Sequence, residues 1–300
     1  MTKFTRKLRK RIRRFHVLHS CHYKNSKTLL DASYDEKYIR YYQHKYKRFL
    51  NKLPKYKDSH EYSNKVWWCW LQGEKKAPQL CQACLASLRK NLKGREIIVI
   101  TSDNYSNYIE LPQFISSMIK DGSINPTQLS DILRLELLIK FGGTWIDSSV
   151  LATSLDDTYF DKDLFVFKSF LSDNDAISSS SWFITSEVGN PILKTTRDLI
   201  YEHLRHNNEF DRYYTIHIFF TIARNRYPEL WKKIPNIPNT IPHILQFEMN
   251  YVYDNNRFAK ICELSSIHKL NQHIDPNAFP KNSNYDHIIN TYLKEGKHAS

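Results

Sequence analysis

Asp131, Arg134 and Asp147 lie in one short and otherwise apolar stretch, SDILRLELLIKFGGTWIDSS. Asp131 and Arg134 are three positions apart, so both side chains lie on one face if this stretch is helical. Burying a charged pair on so apolar a helix is costly unless each charge has a partner. The two residues therefore either form a structural ion pair or hold a polar ligand.

Asp147 follows the apolar pair Trp145 and Ile146 and precedes two serines. This pattern predicts a strand with an acid at its carboxyl end, which is where ligands bind in open α/β sheets. A carboxylate followed by small hydroxyl residues can bind a metal ion or a ribose hydroxyl. The alternative, that Asp147 only caps the following turn, stays open.

The elements that must position these residues form an α/β pattern that begins at Val66. Strands alternate with helices, which predicts an α/β fold with a mainly parallel central sheet flanked by helices. Gly142 and Gly143 end the central helix. The part of the chain after Trp231 is rich in Pro and Asn and is predicted to be mostly irregular. The predicted strands are 66–71, 96–101, 144–152, 164–170 and 181–186, and the predicted helices are 78–92, 126–141, 190–206 and 212–226.

The net charge of +13 is concentrated at the N-terminus. Residues 1–57 contain 18 Lys/Arg against 3 Asp/Glu, while the rest of the chain contains 26 against 28. We therefore predict a basic helical arm over residues 1–62, with an aromatic face between Asp35 and Leu53, followed by a domain over 63–300. The arm is either a solvated tail or a segment that docks on an anionic membrane surface.

The composition also limits the location and the partners. No run of 18 apolar residues and no signal peptide is found, and the five cysteines form no regular framework. These features favour a cytoplasmic protein that is peripheral on the inner face of the cell membrane if the arm docks. Because the positive charge is confined to one arm and no nucleic-acid motif is present, a specific nucleic-acid partner is not expected.

Two groups of potential metal ligands are interpreted as unrelated to function. Cys81 and Cys84 have the spacing of half a zinc site, but no second pair accompanies them, so buried thiols are expected. The spacing of the ligands in the basic arm is attributed to chance. These arm residues are His16, His19, Cys21 and His22.

The combination of SDILR, an apolar helix and GGTWID resembles the glycosyltransferases of capsular polysaccharide synthesis. These are related to glycosyltransferase family thirty-two and to the large clostridial glucosylating toxins. The resemblance covers residues 66–195, including VWWCWLQGEKKAPQL and IIVITSDNYSNYIELP. It implies a GT-A-like nucleotide-binding fold with a metal-assisted donor site of the DxD type.

The resemblance also implies roles for individual residues. Trp70 aligns with a tryptophan that stacks on the nucleotide base, and Gln72 and Gly73 follow it where the backbone approaches the donor. Asp131 and Arg134 align with a pair that grips the donor sugar and its phosphates. Asp147 aligns with the first acid of the DxD motif, so Asp147 and Asp131 are the candidate catalytic residues.

Ser149 departs from the family pattern, because a full DxD motif would have a second carboxylate there. A serine hydroxyl is a neutral and weaker ligand for a hard cation. We expect Mn²⁺ or Mg²⁺ to be held by Asp147, Ser149 and His217 together with the diphosphate of the donor. For His217 the alternative is a histidine packed on an apolar helix.

The resemblance implies transfer of a hexose from a UDP-sugar, with retention of configuration, to a growing surface polysaccharide or a lipid-linked oligosaccharide. Three alternatives remain open. The first is a protein-glycosylating effector of the same fold, and the second is a non-enzymatic protein that binds polyanions or nucleic acid. The third is an inactive relative that only binds a sugar nucleotide. The donor sugar and the acceptor are not predicted, because a few pocket side chains decide them.

Overall fold

The structure is a computed structural model and describes residues 26–169, 177–207, 209–210 and 214–294, with side chains from residue 35 onward. Short 3₁₀ helices and a terminal π-helical turn accompany the main elements. The helices are α1 (Ser26–Lys45), α2 (Lys47–Lys52), α3 (Gln79–Asn91), α4 (Gln113–Lys120), α5 (Pro126–Phe141), α6 (Pro191–Asn207), α7 (Thr215–Arg226), α8 (Pro228–Lys233), α9 (Ile244–Phe247), α10 (Asn255–Leu264) and α11 (Asn284–Ile289). The strands are β1 (Lys65–Cys69), β2 (Glu96–Ile100), β3 (Gly143–Ile146), β4 (Val150–Ala152), β5 (Leu164–Lys168), β6 (Ser179–Ser186) and β7 (Ile267–Lys269).

The central sheet has five strands in the order β2-β1-β3-β6-β5. β1 pairs in parallel with both β2 and β3, while β6 runs antiparallel to β3 and to β5. Among the strands of this sheet only β6 therefore runs in the opposite direction. The prediction of an α/β fold with a mainly parallel sheet is confirmed.

Helices cover both faces of the sheet, and successive side chains of a strand point to opposite faces. In β1, Trp67 packs into a core with α5, α6 and α7, while Val66 and Trp68 pack on the other face with α3. Trp67 and Trp68 are both fully buried. These two tryptophans belong to the core, and Trp70 is the first aromatic residue beyond the strand.

The predicted strand 144–152 is wrong in one respect, because it is two strands in two different sheets. β3 ends at Ile146, and a turn closed by a hydrogen bond from Val150 N to Asp147 O (3.1 Å) separates it from β4. β4 then pairs antiparallel with β7 instead of continuing in the central sheet. The turn puts Asp147, Ser148 and Ser149 in a loop, where their side chains are available for other contacts.

Gly142 and Gly143 join the central helix to the central strand in very little space. Gly142 ends α5 by donating its N–H to Leu138 O, and its own carbonyl accepts a hydrogen bond from Trp67 Nε1 (2.9 Å). Gly143 has a φ of 88°, and a Cβ at this position would lie 2.3 Å from Lys65 O. Only glycine fits there, so this connection fixes α5 against β1 and β3.

Within the predicted arm, the described residues from 26 onward form α1 and α2, and this part is packed on the rest of the protein. Tyr42 of α1 and Tyr46, between α1 and α2, are buried against Phe219, and Tyr46 Oη lies 2.8 Å from His203 Nδ1. The segment 53–64 has no helix and is held by contacts such as Tyr56 Oη to Asp198 Oδ2 (2.6 Å). Contacts therefore tie the part of the arm after residue 35 to the domain, while the boundary at residue 62 stays a prediction.

The part of the chain after Trp231 contains more regular structure than the sequence predicts. It forms α9, α10, β7 and α11. Residues of α9, α10 and α11 belong with α3 to a third hydrophobic cluster, while Ile267 of β7 belongs to the second cluster. No helix in the described part of the chain combines the length and the apolar composition needed to cross a bilayer.

Candidate active site

A cavity of about 510 Å³ opens beside the carboxyl ends of β1 and β3. Its lining comes from the end of β1 and the segment after it, from the region between α5 and the β3–β4 turn, and from the stretch that starts at the end of β7. Residues of β6, α7 and α9 complete the lining. Ligands bind at this end of the strands in open α/β sheets. The location is therefore the one that the sequence predicts for Asp147.

Arg134 is the centre of the charged network in this cavity. Its Nη1 donates to Asp131 Oδ1 (2.7 Å) and its Nη2 donates to Asp147 Oδ1 (3.0 Å), so one guanidinium joins both acids. The guanidinium also lies 4.9 Å from the ring centroid of Trp145, whose Nε1 donates to Asp147 Oδ1 (2.9 Å). The Arg134 side chain is 4% exposed, against 20% for Asp131 and 27% for Asp147. Arg134 thus lies beneath the two acids and holds both in place.

The two carboxylates have opposite pKa shifts. Burial acts to raise the pKa of Asp147, but the charges of Lys269 and Arg134 outweigh it and lower the pKa to about 2. Burial is the main reason why the pKa of Asp131 is raised above its usual value, although Arg134 acts in the opposite direction. Asp147 is therefore ionised at any physiological pH.

Lys269 is a site residue that the sequence did not predict. Its Nζ donates to Asp147 Oδ2 (3.0 Å) and to Ser149 Oγ (2.9 Å). Lys269 ends β7, and the pairing of β7 with β4 sets it opposite Val150. The backbone N–H of Leu270, next in the chain, donates to Ser149 O (2.8 Å) and fixes this approach. Since no local motif marks Lys269, only the long-range pairing of β4 with β7 reveals it.

His217 lies on α7 and lines the same cavity. Its Nδ1 is 3.2 Å from Ser179 O, and its Nε2 is 3.4 Å from Ser181 Oγ. Burial, together with the charge of Arg134, lowers the pKa of His217 to about 4, so the imidazole is neutral at pH 7. A neutral imidazole can accept or donate a hydrogen bond at the cavity wall.

The predicted nucleotide-binding residues follow β1 directly. Trp70 and Gln72 line the cavity, and Trp70 is only partly buried, so part of its indole faces open space. Gly73 is not among the lining residues and has a φ of 90° in the turn that follows. The structure thus brings Trp70 and Gln72 to the same cavity as the acids, with Gly73 just outside it.

The side chains near Asp147 do not fit a divalent cation well. The expected ligands are Asp147 Oδ2, Ser149 Oγ and His217, yet the first two are both bound to the ammonium group of Lys269. A divalent cation favours several carboxylate or carbonyl oxygens, and this position offers a single carboxylate and a hydroxyl. The cation at these residues therefore stays a prediction from the sequence, and the residues present fit an ammonium group better.

One group of three potential metal ligands does occur in the described part of the chain, away from the cavity. Asp58, His60 and Asp163 have ligand atoms within 4.8 Å of one another. The His60 side chain is 58% exposed, and its Nδ1 lies 3.1 Å from Asp163 Oδ1. Surface ion pairs account for this group.

The cysteines behave as predicted. Cys81 and Cys84 are buried free thiols on α3. Burial raises the pKa of Cys81 to about 11 and that of Cys84 well above its usual value, so both stay protonated. The histidines and the cysteine of the basic arm, which were attributed to chance, lie outside the described residues.

Comparison with known proteins gives structural neighbours at low sequence identity. A solved structure described as "PaToxG Glycosyltransferase" is 14% identical, with 89% of this chain and 96% of that chain covered and a TM-score of 0.41. A solved transferase mutant with two cysteines replaced by serine is 10% identical, with 69% and 94% covered and a TM-score of 0.37. No curated protein matches the chain. The family model described as capsular polysaccharide synthesis protein matches residues 19–288, and the chain therefore belongs to this family.

Proposed function

We propose that the chain is a glycosyltransferase of the GT-A type that uses a nucleotide-sugar donor, in particular a UDP-sugar. The carrying observation is the cavity at the strand ends, where Asp147 and Asp131 share one buried arginine beside the partly open indole of Trp70. Membership of the capsular polysaccharide synthesis family supports the proposal. The transferred group is a hexose, and the acceptor is a growing surface polysaccharide or a lipid-linked oligosaccharide.

The donor lies across the cavity with its base on Trp70 and its sugar and phosphates towards Asp131, Arg134 and Asp147. The cavity volume of about 510 Å³ falls within the range of small-molecule sites, which is roughly 300–1,000 Å³. The carboxylates of Asp131 and Asp147 accept hydrogen bonds from sugar or ribose hydroxyls. Arg134 keeps both carboxylates in position, because each of them binds one of its nitrogens.

The chemical demand of the reaction is a place for negative charge on the leaving group. The bond from the anomeric carbon to the phosphate oxygen breaks, and its electron pair stays on the nucleoside diphosphate. The acceptor oxygen bonds to the anomeric carbon on the same face, and its proton passes to the departing phosphate oxygen. This route retains configuration and needs no separate base. Positive groups near the phosphates lower the barrier, because they act where charge develops.

Enzymatic release of the nucleoside diphosphate tests the proposal. Purified protein is incubated with a panel of UDP-, GDP-, ADP- and CDP-sugars, and free nucleotide is measured. We expect release from one class of donor by the native protein, and release at least about 100-fold slower by Asp147→Asn. Absence of both binding and release for every donor would contradict the proposed function. Adding short lipid-linked or free oligosaccharides as acceptors, and separately protein acceptors, identifies the acceptor class.

The basic arm supports a location near lipid-linked acceptors. We propose that residues 1–57 bring the enzyme to an anionic membrane surface, because 18 Lys/Arg against 3 Asp/Glu favour such a surface. Deletion of residues 1–30 is expected to abolish binding to anionic vesicles in a sedimentation assay. Unchanged vesicle binding would contradict the docking role and leave the donor site unaffected.

A further inference from the structure

We propose that the ammonium group of Lys269 binds the diphosphate of the donor and takes the place of a divalent cation, so that transfer does not depend on added metal. This inference rests on the proposed function and names a further residue of the same site. Its basis is the position of Lys269 Nζ, which lies 3.0 Å from Asp147 Oδ2 and 2.9 Å from Ser149 Oγ.

The charges at this turn balance when a serine at position 149 is combined with a lysine at position 269. Two carboxylates balance a doubly charged cation, whereas Asp147 with the neutral Ser149 offers a single negative charge. A lysine brings a single positive charge, so the pair at this turn is balanced without a metal ion. The serine that departs from the DxD pattern thus adds no charge at this turn and accepts a hydrogen bond from the ammonium group.

Lys269 is also the better placed of the two strong cations that line the cavity within the described residues. The Arg134 side chain is 4% exposed and lies under two carboxylates, while the Lys269 side chain is 19% exposed. The ammonium group has three N–H donors, and the described contacts use two of them. The third is free to donate to a phosphate oxygen of a ligand in the cavity.

The fold explains how a residue so distant in sequence reaches this position. Lys269 and Asp147 are 122 positions apart, and the antiparallel pairing of β4 with β7 brings them together. His268 faces the opposite side of β7 and is fully buried, which fixes the strand and leaves Lys269 at the cavity. The pairing of β4 with β7 therefore places Lys269 at the cavity.

In the transfer step Lys269 acts through its hydrogen bond and forms no covalent bond. The sugar–phosphate bond breaks, the electron pair remains on the diphosphate, and the acceptor proton passes to the departing oxygen. The hydrogen bond from Lys269 strengthens as that oxygen gains negative charge.

The first test needs only the native protein. Binding of nucleoside diphosphates is measured by titration calorimetry in EDTA and again with Mn²⁺, and binding of Mn²⁺ is followed by electron paramagnetic resonance. We expect the same dissociation constant, within about twofold, in both conditions, and no Mn²⁺ bound with the nucleotide. A tenfold or larger gain of affinity with Mn²⁺ would overturn the inference while supporting the proposed function. Failure to bind any nucleoside diphosphate in either condition would contradict the proposed function itself.

The second test uses variants of Lys269 in EDTA. Because charge-assisted hydrogen bonds are strong, Lys269→Ala is expected to weaken nucleoside diphosphate binding about 10- to 100-fold. Lys269→Arg keeps the charge and is expected to retain most of the affinity, which separates loss of charge from loss of fold. Lys260→Ala removes an exposed lysine of α10 and serves as the matched control. Equal affinities for Lys269→Ala and Lys260→Ala would overturn the inference.

A third variant converts the site. Lys269→Ala combined with Ser149→Asp vacates the ammonium position and supplies the second carboxylate. We expect this double variant to bind the nucleotide weakly in EDTA and at least tenfold more tightly with Mn²⁺, with a matching Mn²⁺ resonance signal.

Discussion

Two of the regions that line the cavity differ in how they reach it. The central region, residues 126–150, supplies Asp131, Arg134 and Asp147 from one helix, one strand and the turn that follows. The C-terminal region, residues 267–273, supplies Lys269 through a three-residue strand that pairs with β4. The central region has a sequence motif, whereas the C-terminal region has none.

The difference shows which parts of a site a motif can reveal. In the central region, residues that are close in sequence are also close in space, because α5 and β3 are joined tightly at Gly143. In the C-terminal region only the pairing of two short strands defines the geometry. A local pattern therefore identifies the acids, and the tertiary fold is needed to identify the cation that binds them.

Removing the central acid is expected to have the largest effect. Asp147→Asn leaves Arg134 and Lys269 without the carboxylate that both of them bind, so we expect donor turnover to fall about 10²- to 10³-fold. Donor release assays check this, and thermal melting checks that the protein stays folded. The control is Asp157→Asn, an exposed acid outside the cavity. Full activity of Asp147→Asn would show that Asp147 of the central region takes no part in the reaction.

The rigid joint of the central region is tested by Gly143→Ala. The new Cβ would meet Lys65 O at 2.3 Å, and φ is 88°, so we expect a loss of about 3 kcal/mol or more in the free energy of unfolding. Gly94→Ala, with a φ of 83° and open space around it, is expected to cost about 1 kcal/mol. Urea denaturation measures both, and equal losses would argue against the close approach.

The C-terminal region has a pH-dependent contribution to stability through His268. Burial lowers the pKa of this fully buried histidine to about 4, so the unfolded state takes up the proton first as the pH falls below about 6.5. The contribution of His268 to the free energy of unfolding is fully present above this pH. It decreases as the pH falls towards 4, by about 2 kcal/mol at pH 5. Urea denaturation at pH 7 and pH 5 should show a smaller loss for His268→Gln than for the native protein. An identical loss in the two proteins would contradict burial of β7.

The smallest effect is expected at the edge of the cavity. Trp70→Ala removes the surface on which the nucleotide base stacks, and we expect nucleoside diphosphate binding to weaken about tenfold. Trp70→Phe keeps an aromatic face and is expected to retain most of the affinity, as measured by titration calorimetry. If Trp70→Ala binds as tightly as the native protein, the base lies elsewhere.

The same contrast explains how much could be predicted from the sequence. Apolar runs and their separators predicted the strands β1, β2, β5 and β6, because burial on both faces of a sheet requires such runs. Asp147 was predicted at the carboxyl end of a strand, but the strand bounds 144–152 missed the turn, since the apolar residues on both sides of it look like one strand. The elements after Trp231 were missed because Pro and Asn dominate the composition there, although distant packing on α3 orders them.

The candidate site could be predicted as far as it is local. Asp131, Arg134 and Asp147 were identified from their spacing, and the structure places them in one network. Trp70, Gln72 and His217 also line the cavity. Lys269 could not be predicted, because nothing distinguishes it locally among the 44 lysines and arginines of the chain. The roles of all these residues in binding and transfer stay predictions until variants are measured.

The most direct test of whether the central and C-terminal regions both bind the donor is amide hydrogen exchange with and without that donor. Once the donor screen has identified a nucleotide-sugar, amide exchange is measured by mass spectrometry across the chain at saturating donor. We predict slower exchange in peptides that cover residues 143–150 and in peptides that cover residues 267–273, with no comparable change around Asp58 and His60. Bound donor that leaves the exchange of both regions unchanged would contradict the account.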